Sequence, residues 1–367
     1  MNSRYNTVAA TVSGTHPIVP LPRGCYTPPD QEAWAEVLVG IDIGGTKTAI
    51  VAGREGPDGL TVLGRAAFPT APAERSWQVV LAAAAAEARR LVERHTDAGE
   101  RLSGVGVTCG GPLDSRRGLV LSPPNLPGWD EVPVTRELGQ ALGCPAFLKN
   151  DANACALAEW RYGAGRGVRT MVFLTFGTGM GGGLIIDGRL YEGTNDLGGE
   201  VGHLKVAEDG PEGYGKRGSF EGFCSGGGIA KLARAAAEER LSRGERVGFC
   251  PTAGGLDAIS ARAVGEAAAA GDPLAREILA TSGTYLGRGL ALIIDIINPE
   301  RIVIGSIYAR CTRFLQPSMQ AAIEREALPA AVRVCSVVPA ELGEAIGDYA
   351  CLTVAADGIW KQNGGST

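Results

Sequence analysis

The chain has 367 residues, 45% hydrophobic and 20% charged, so it is long enough for two domains and has an ordinary globular composition. Its formal net charge of −5 argues against a basic nucleic-acid-binding face, although backbone amides could still bind small anions. No apolar stretch approaches the ~20 residues of a membrane span, and nine cysteines without a C-x-x-C pair favour buried thiols in a reducing cytoplasm.

The first 36 residues differ from the rest of the chain. They contain several prolines and no apolar run, so they predict neither a signal peptide nor a folded unit. We expect residues 1–36 to form a disordered or loosely packed extension. Glycine is abundant throughout, with 54 residues or roughly double the average share, which predicts many tight turns.

The first half of the chain alternates strand and helix patterns. Two apolar runs joined by a glycine turn predict a β-hairpin at about 37–53, and an alanine-rich stretch predicts a helix at 74–95. A strand at 102–109 and a loop-rich segment follow. A helix at 134–143, a strand at 145–150 and a helix opening at Asp151 complete this half.

The second half repeats the same plan. The stretch LTFGTGMGGGLII is again an apolar run, a glycine turn and an apolar run. Helices are predicted at about 222–241, 257–270, 273–297, 312–326 and 342–356, with strands at RIVIG and RVCSVV. Alternating strands and helices predict an α/β protein, and the duplication predicts two lobes with a ligand cleft between them.

The two glycine turns are predicted phosphate-binding loops. The sequence GTGMGG satisfies a formal G-x-G-x-x-G pattern, but a strand rather than a helix follows it, which excludes the dinucleotide-binding motif. GGTKT lacks the G-K-[ST] order of a Walker A loop. Backbone amides, the hydroxyls of Thr46 and Thr178 and the ammonium of Lys47 can contact phosphates, while Asp42 can hold Mg²⁺ directly or through water.

Four stretches together resemble the ROK family of sugar kinases, within the actin/hexokinase-like superfamily. They are GIDIGGTKTAIV, SPPNLPGW, LKNDANACALAEWRYGAGRG and FGTGMGGGLIIDGRLYEGTNDLGGEVGH, and the resemblance covers about residues 37–357. It implies a two-lobed, actin-like ATPase (ribonuclease H-like) fold with the active site in the cleft. The lobes would comprise residues 37–149 with 342–360, and residues 150–341. It also implies ATP, Mg²⁺ and transfer of a phosphoryl group to a hexose or amino-hexose.

The same resemblance assigns roles to individual residues. The aspartate of the N-D-A-N motif, here Asp151, would be the catalytic base, since a carboxylate can take the proton of a sugar hydroxyl. From local sequence alone, Asp151 is as readily a helix cap. The expected sugar ligands are Asn125, Asn150, Asp151, Glu200, His203 and Glu221. The expected nucleotide-binding residues are Asp42, Gly44, Gly45, Thr46, Lys47, Thr178, Gly179, Gly305 and Ser306.

One family motif is altered. The ROK pattern places three zinc-binding cysteines after the histidine, but Glu212, Tyr214 and Ser219 stand at these positions. We therefore expect no structural zinc, because its thiolate ligands are missing. We expect hydrogen bonding and packing from one of these three residues to hold His203 instead. Ser306, where the family usually has a second glycine, is a milder departure.

The substrate and the class of protein retain alternatives. Glucose is the first expectation, because NDANACALAEW and GGEVGHLKV most resemble glucokinase-like members. N-acetylmannosamine, N-acetylglucosamine and fructose are the others. The acidic chain, an intact first phosphate loop and no helical pattern before it disfavour a DNA-binding repressor. A catalytically silent sugar-binding protein is the remaining rival. We expect a cytoplasmic homodimer that binds neither nucleic acid nor membrane.

Overall fold

Two five-stranded sheets frame the protein in the computed structural model, which describes residues 36–57, 59–96 and 100–364. The predicted N-terminal extension, except for its last residue, lies outside the described residues. The strands are β1 Glu36–Ile43, β2 Lys47–Gly56, β3 Gly59–Pro69, β4 Arg101–Cys109, β5 Leu113–Asp114, β6 Leu119–Val120, β7 Ala146–Asn150, β8 Met171–Leu174, β9 Gly182–Ile186, β10 Arg189–Tyr191, β11 Glu212–Gly213, β12 Lys216–Arg217, β13 Arg301–Ile304 and β14 Ser336–Pro339.

Helices separate the strands and cover the sheets. They are α1 Trp77–His95, α2 Val134–Leu142, α3 Asp151–Tyr162, α4 Phe220–Phe223, α5 Gly226–Ser242, α6 Ala261–Ala270, α7 Pro273–Ile297, α8 Ile307–Glu326, α9 Pro329–Val332 and α10 Ile346–Gln362. Within the described residues, no helix is long and apolar enough to cross a bilayer.

The two sheets have the same topology. The first has the order β3-β2-β1-β4-β7 and the second β10-β9-β8-β13-β14. In each sheet, the first three strands along the chain pair antiparallel. The fourth strand pairs parallel with the first, and the fifth pairs parallel with the fourth. Parallel strands end at one edge of a sheet, so in each half the glycine turn lies at the edge where the parallel strands end. The predicted duplication is confirmed.

The first sheet is covered on both faces. Apolar side chains of α1 and α2 pack with those of β1 and β4 in one core cluster. On the other side, α10 packs Cys351, Leu352 and Ala355 against Leu38 and Val51. This placement of the last helix on the first sheet agrees with the expectation that it returns to the first lobe. The lobe boundaries themselves stay a prediction.

Several predicted boundaries were wrong. The strand β3 was missed, although alternate residues along it are exposed, as an outer strand requires. The helix α8 begins at Ile307, five residues before the predicted start at 312, and it tolerates Pro317 in its interior. The helix predicted at 342–356 runs instead from Ile346 to Gln362, and RVCSVV forms a strand only from Ser336.

The cysteines are thiols. All eight cysteines of the described residues are free, and the five buried ones all lie in apolar clusters. Burial raises the pKa of the thiols of Cys155, Cys224 and Cys351 well above the ordinary value. Such thiols stay protonated and unreactive at neutral pH.

Candidate functional site

The first glycine turn joins β1 to β2 and contacts a predicted sugar residue. The Gly44 N–H donates to the Lys47 carbonyl at 3.0 Å, and the Thr70 hydroxyl donates to the Gly44 carbonyl at 2.6 Å. A Cβ on Gly45 would lie 2.5 Å from the Asn125 carbonyl oxygen, so only glycine allows this approach. The turn therefore brings a predicted nucleotide loop against the segment that carries Asn125.

Asp42 lies at the end of β1, directly before this turn. The Thr108 hydroxyl of the neighbouring strand β4 donates a 2.8 Å hydrogen bond to its carboxylate. Burial raises the pKa of Asp42, Thr108 and Lys47 lower it, and the negative charges of Asp151 and Asp348 raise it further. Thr46 and Lys47 are exposed. Asp42 is thus a carboxylate whose ionised form a cation would stabilise.

Asn150 and Asp151 divide the roles that the sequence left open. Asn150 is the helix cap, since its amide oxygen accepts from the N–H of Ala152 at 2.9 Å and of Asn153 at 3.4 Å. Its amide nitrogen lies 3.6 Å from a Cβ placed on Gly111 and makes no hydrogen bond in the described structure. Asp151 is the first residue of α3 and accepts from the Ala152 N–H at 2.8 Å.

Protein atoms surround the Asp151 carboxylate, yet the residue remains open to solvent. This combination is what the predicted cleft between two lobes requires of a residue on its floor. Burial raises the pKa of Asp151, and the hydrogen bond from the Ala152 N–H lowers it. A carboxylate with a raised pKa at a helix N-terminus is suited to accept a proton.

Glu200 lies within electrostatic range of three other predicted site residues. Burial raises the pKa of Glu200, the charge of His203 lowers it, and the carboxylates of Asp151 and Glu221 raise it. Such effects between charges fall off with distance, so Glu200 is near each of these three groups. Glu200 directly precedes the short 3-10 helix Val201–His203, His203 is its last residue, and both residues are exposed.

Glu221 also contacts the second glycine loop. One carboxylate oxygen accepts from the Met180 N–H at 2.9 Å, and the same oxygen would lie 2.7 Å from a Cβ on Gly179. Gly179 is therefore required by the close approach of Glu221. Glu221 has a structural role that sequence reasoning did not predict, and one carboxylate oxygen remains for a ligand.

The second glycine loop borders a cavity with a volume of about 1050 Å³. Two backbone bonds dock the start of α5 on this loop: Gly226 N–H to the Gly177 carbonyl at 2.7 Å, and Gly227 N–H to the Thr178 carbonyl at 3.3 Å. Further residues of α5, α6, α8 and the turn before α8 line the cavity: Ala230, Arg262, Ser306, Ile307, Arg310 and Phe314.

Of the two nucleotide-binding residues predicted after β13, Ser306 borders the cavity and Gly305 does not. Ser306 lines the cavity and has a φ of 52°, a left-handed conformation unusual for residues other than glycine. Gly305 does not line it, because the residue is buried and its N–H donates to the Leu174 carbonyl at 3.0 Å. Thr178 lines the cavity and is exposed to it.

Sequence reasoning missed the far wall of the cavity. Gly226 and Gly227 were detectable, because a serine followed by glycines at a helix start is a signal of an anion-binding helix N-terminus. Arg262, Arg310 and Phe314 gave no local signal, since they lie on amphipathic helices far apart in sequence. Only the fold brings them together.

The second glycine loop takes part in two groups of residues. Gly177 and Thr178 line the cavity, which is large enough for a nucleoside. Gly179 is approached by Glu221, whose charge acts on Glu200 together with those of Asp151 and His203. Such a site can hold a phosphorylated ligand beside a polyhydroxylated one and accept a proton from the latter.

Comparison with known proteins identifies relatives of this architecture. The sequence model of the ROK family matches residues 38–353. The glucokinase of Thermotoga maritima is 32% identical over 325 residues, covering 88% of this chain and 98% of that protein. The bifunctional enzyme NanE/NanK of Brucella melitensis is 35% identical over 87% of this chain, which spans 54% of that longer protein.

Solved structures share the fold. A ROK family glucokinase from Streptomyces griseus, in complex with glucose and AMPPNP, is 29% identical with a TM-score of 0.69, covering 88% of this chain and 99% of that one. A ROK hexokinase from Thermus thermophilus is 29% identical with a TM-score of 0.70, covering 89% and 99%. A ROK family transcriptional regulator is 26% identical with a TM-score of 0.74, covering 88% and 78%.

Proposed function

The chain belongs to the ROK family and has the α/β, actin-like fold of its sugar kinases; from that premise we propose that it phosphorylates a hexose hydroxyl with ATP. The convergence of Asp151 with Asp42, Glu200 and Glu221 carries the proposal. A sugar kinase requires a proton acceptor between a phosphate loop and a polar sugar wall. Kinase relatives support this general activity, while the identity of the sugar is our inference.

In the proposed reaction, a sugar hydroxyl oxygen attacks the γ-phosphorus of ATP. The bond from that phosphorus to the oxygen shared with ADP breaks, and Asp151 takes the hydroxyl proton. The carboxylate can do so because the Asn150 amide caps α3 and leaves Asp151 on the cleft floor. The product phosphate ester then leaves with ADP, and Asp151 returns its proton to solvent.

The nucleotide would lie between the two glycine turns. We place its adenosine in the 1050 Å³ cavity beside Gly227, Arg310 and Phe314, and its phosphates along Gly44, Gly45, Thr46, Lys47, Thr178 and Gly179. Exposed hydroxyls of Thr46 and Thr178 and the exposed ammonium of Lys47 are free to contact phosphate oxygens. Holding the phosphates in place contributes much of the rate of phosphoryl transfer.

The residues present fit a magnesium ion at Asp42. Burial and the negative charges of Asp151 and Asp348 raise the pKa of Asp42, and a bound cation would stabilise its ionised form. Asp42 would hold Mg²⁺ directly or through water. When bound, the ion supplies positive charge for the transferring phosphoryl group.

The sugar would be held by side chains that bind vicinal hydroxyls. Glu200 and Glu221 offer carboxylate oxygens, while Asn125 and the unbonded amide nitrogen of Asn150 complete the set. His203 would donate or accept through one ring nitrogen. We propose glucose as the substrate, because glucokinases recur among the relatives. N-acetylmannosamine, N-acetylglucosamine and fructose are the alternatives.

The test is ATP-dependent ADP release with glucose, mannose, fructose, N-acetylmannosamine and N-acetylglucosamine. We expect the highest kcat/KM with glucose. A higher value with another of these sugars would overturn the glucose assignment and preserve the kinase. ATP binding without turnover on any sugar would overturn the kinase.

A sugar-responsive regulator is the second candidate. The observation that favours it is the TM-score of 0.74 to a ROK family transcriptional regulator, together with 30% identity over 238 residues to the repressor Mlc of Escherichia coli. The two candidates differ in Asp151. A kinase loses turnover in Asp151→Asn, whereas a regulator has no turnover to lose and still binds sugar.

The predicted homodimer has a surface on which it can be tested. Leu292 and Ile296 are exposed one turn apart on α7, and Leu328 is also exposed. The Leu328 N–H donates to the Asp295 carboxylate at 2.9 Å, which places Leu328 beside this part of α7. Exposed apolar groups on one face favour association. We expect light scattering to give the mass of a dimer for the parent protein. If this surface is the interface, Ile296→Lys should have the mass of a monomer.

A further inference from the structure

The loop after His203 does not fit the zinc ion that the family resemblance implies. Ser219 stands at one cysteine position, and its hydroxyl is buried, donating to the Gly213 carbonyl at 3.3 Å and accepting from the Gly222 N–H at 3.1 Å. Glu212 and Tyr214 stand at the other two, with exposed side chains. Within residues 36–57, 59–96 and 100–364, no three His, Cys, Asp or Glu side chains form a metal-binding group.

Hydrogen bonds hold this loop where zinc would otherwise do so. The Phe220 N–H donates to the Leu204 carbonyl at 2.7 Å, and the Val206 N–H to the Gly218 carbonyl at 3.0 Å, closing the base of the loop. At its tip, β11 pairs antiparallel with β12. The Lys216 ammonium reaches back to the His203 carbonyl at 2.7 Å. These bonds fix the backbone of His203 but leave its imidazole ring unrestrained.

Tyr214 is the neighbour that restrains the ring. The rings of Tyr214 and His203 meet edge to face, with centroids 5.1 Å apart and planes inclined by 77°. Tyr214 is 67% exposed, so it does not fill a core. It occupies the first position of the two-residue β11–β12 turn, where a φ of 46°, with 74° at Gly215, is the left-handed backbone that a tight hairpin requires.

We propose that Tyr214 is a positioning residue that orients the His203 imidazole toward the sugar, in the place that a zinc ion takes in the family pattern. Aromatic pairs favour the edge-to-face arrangement, so the tyrosine ring selects one plane for the imidazole. A fixed plane decides which ring nitrogen faces the cleft, as a second contact does for metal-bound histidines. The proposal rests on the proposed sugar kinase activity.

The first test measures the orientation of the His203 ring by NMR and does not depend on enzyme activity. The chain contains only three histidines, so the ring protons of His203 can be assigned in a proton NMR spectrum by comparison with His203→Gln. A tyrosine ring at 5.1 Å shifts these protons by its ring current. We expect this shift to vanish in Tyr214→Ala and to persist in Tyr214→Phe. The control Tyr191→Ala removes another exposed tyrosine and should leave the signal unchanged.

The second test measures the KM for the sugar. We expect Tyr214→Ala to raise the KM for the sugar about 2- to 10-fold, the worth of one aromatic pair, with the KM for ATP unchanged. Tyr214→Phe should behave as the parent, because the ring rather than the hydroxyl makes the contact. If Phe raised KM as much as Ala, direct hydrogen bonding to the sugar would replace our proposal.

Three results would overturn the inference. They are a His203 signal unaffected by Tyr214→Ala, a sugar KM unaffected by the same change, and stoichiometric zinc in the purified protein. A chain without kinase activity would instead overturn the proposed function, while the NMR result would still report whether Tyr214 restrains His203. The two failures are therefore distinguishable.

Discussion

The carboxylate of Asp196 accepts two hydrogen bonds from Ser115, one from the hydroxyl at 2.7 Å and one from the N–H at 2.9 Å. Ser115 follows β5, in the half of the chain that builds the first sheet, whereas Asp196 follows β10 of the second sheet. The pair therefore bridges the two predicted lobes. It belongs to a segment, residues 192–203, which we name the strap and which ends with Glu200 and His203.

The strap has a second attachment at its start. The Lys149 ammonium donates to Glu192 at 2.6 Å, and both side chains are largely shielded from solvent. Lys149 directly precedes Asn150 and Asp151 in sequence. The same strap thus connects the segment that carries the proposed catalytic base with the predicted sugar wall.

We expect Asp196→Asn to raise the KM for the sugar about 3- to 10-fold, because a hydrogen bond to a charged group is worth more than one to an amide. In a double-mutant cycle, Ser115→Ala should add little in the presence of Asp196→Asn. Steady-state kinetics on the four proteins measure both.

The matched control is Asp187→Asn. Asp187 and Asp196 both have a left-handed backbone, with φ of 51° and 61°, so the same substitution perturbs both turns alike. The Asp187 carboxylate, however, pairs with Arg169 at the surface of the second half of the chain. Equal effects of the two substitutions would mean that the bridge has no part in sugar binding.

We expect Asp151→Asn to lower kcat by about 10²- to 10⁴-fold, the contribution of a general base. The same change should stabilise the protein at neutral pH. Burial raises the pKa of Asp151 in the folded state, so the unfolded chain loses this proton at a lower pH than the folded one. Stability therefore falls as pH rises between the two pKa values, and asparagine removes this loss.

Urea unfolding at neutral and mildly acidic pH tests the second half of this prediction. The stability difference between Asp151→Asn and the parent should shrink on acidification and disappear below the ordinary carboxyl pKa. The exposed Asp257, changed to Asn, is the control and should show no such trend. A destabilised Asp151→Asn at neutral pH would contradict a raised pKa.

We expect the Mg²⁺ concentration for half-maximal rate to rise as pH falls, because Mg²⁺ requires the ionised carboxylate of Asp42 and burial raises its pKa. Thr108→Val should shift this dependence to higher pH, since the Thr108 hydrogen bond lowers that pKa. The test is to measure the rate at several Mg²⁺ concentrations and pH values, at saturating sugar, for the parent and for Thr108→Val. An identical pH dependence in Thr108→Val would remove Asp42 from the magnesium site.

We expect Gly227→Ala to raise the KM for ATP about 5- to 30-fold and to leave the sugar KM unchanged. A Cβ at this position has ordinary contacts, with 3.6 Å to the nearest atom, so the fold accepts it while the methyl group enters the cavity. Gly254→Ala is the control, because nothing lies within 4 Å of its Cβ and it does not line the cavity. An unchanged KM for ATP would place the nucleotide elsewhere.

Local sequence was sufficient for residues that act through their backbone turn or their helix end. The glycine turns, the strand that carries Asp42 near its end and the helix that opens at Asp151 were all predictable, because each depends on its immediate neighbours. The roles of Asn150 and Asp151 were not separable by sequence. Either side chain can cap a helix, and only the backbone geometry shows that Asn150 does so.

Residues that act through tertiary contact were not predictable. The bond from Glu221 to the Met180 N–H spans 41 positions of the chain, and the Ser115 bridge spans 81. Arg262 and Arg310 reach the cavity because α6 and α8 both pack near the start of α5. No periodicity in the sequence encodes which face of such helices borders a ligand.

The left-handed backbone of Tyr214 gives this position two opposing preferences. Glycine is the residue that best tolerates such a conformation, and replacing tyrosine by glycine should make the turn more stable by about 1 kcal/mol. The same exchange deletes the ring against His203. A search for thermostable variants would therefore select Tyr214→Gly. The selected proteins would have a higher melting temperature and a higher KM for the sugar.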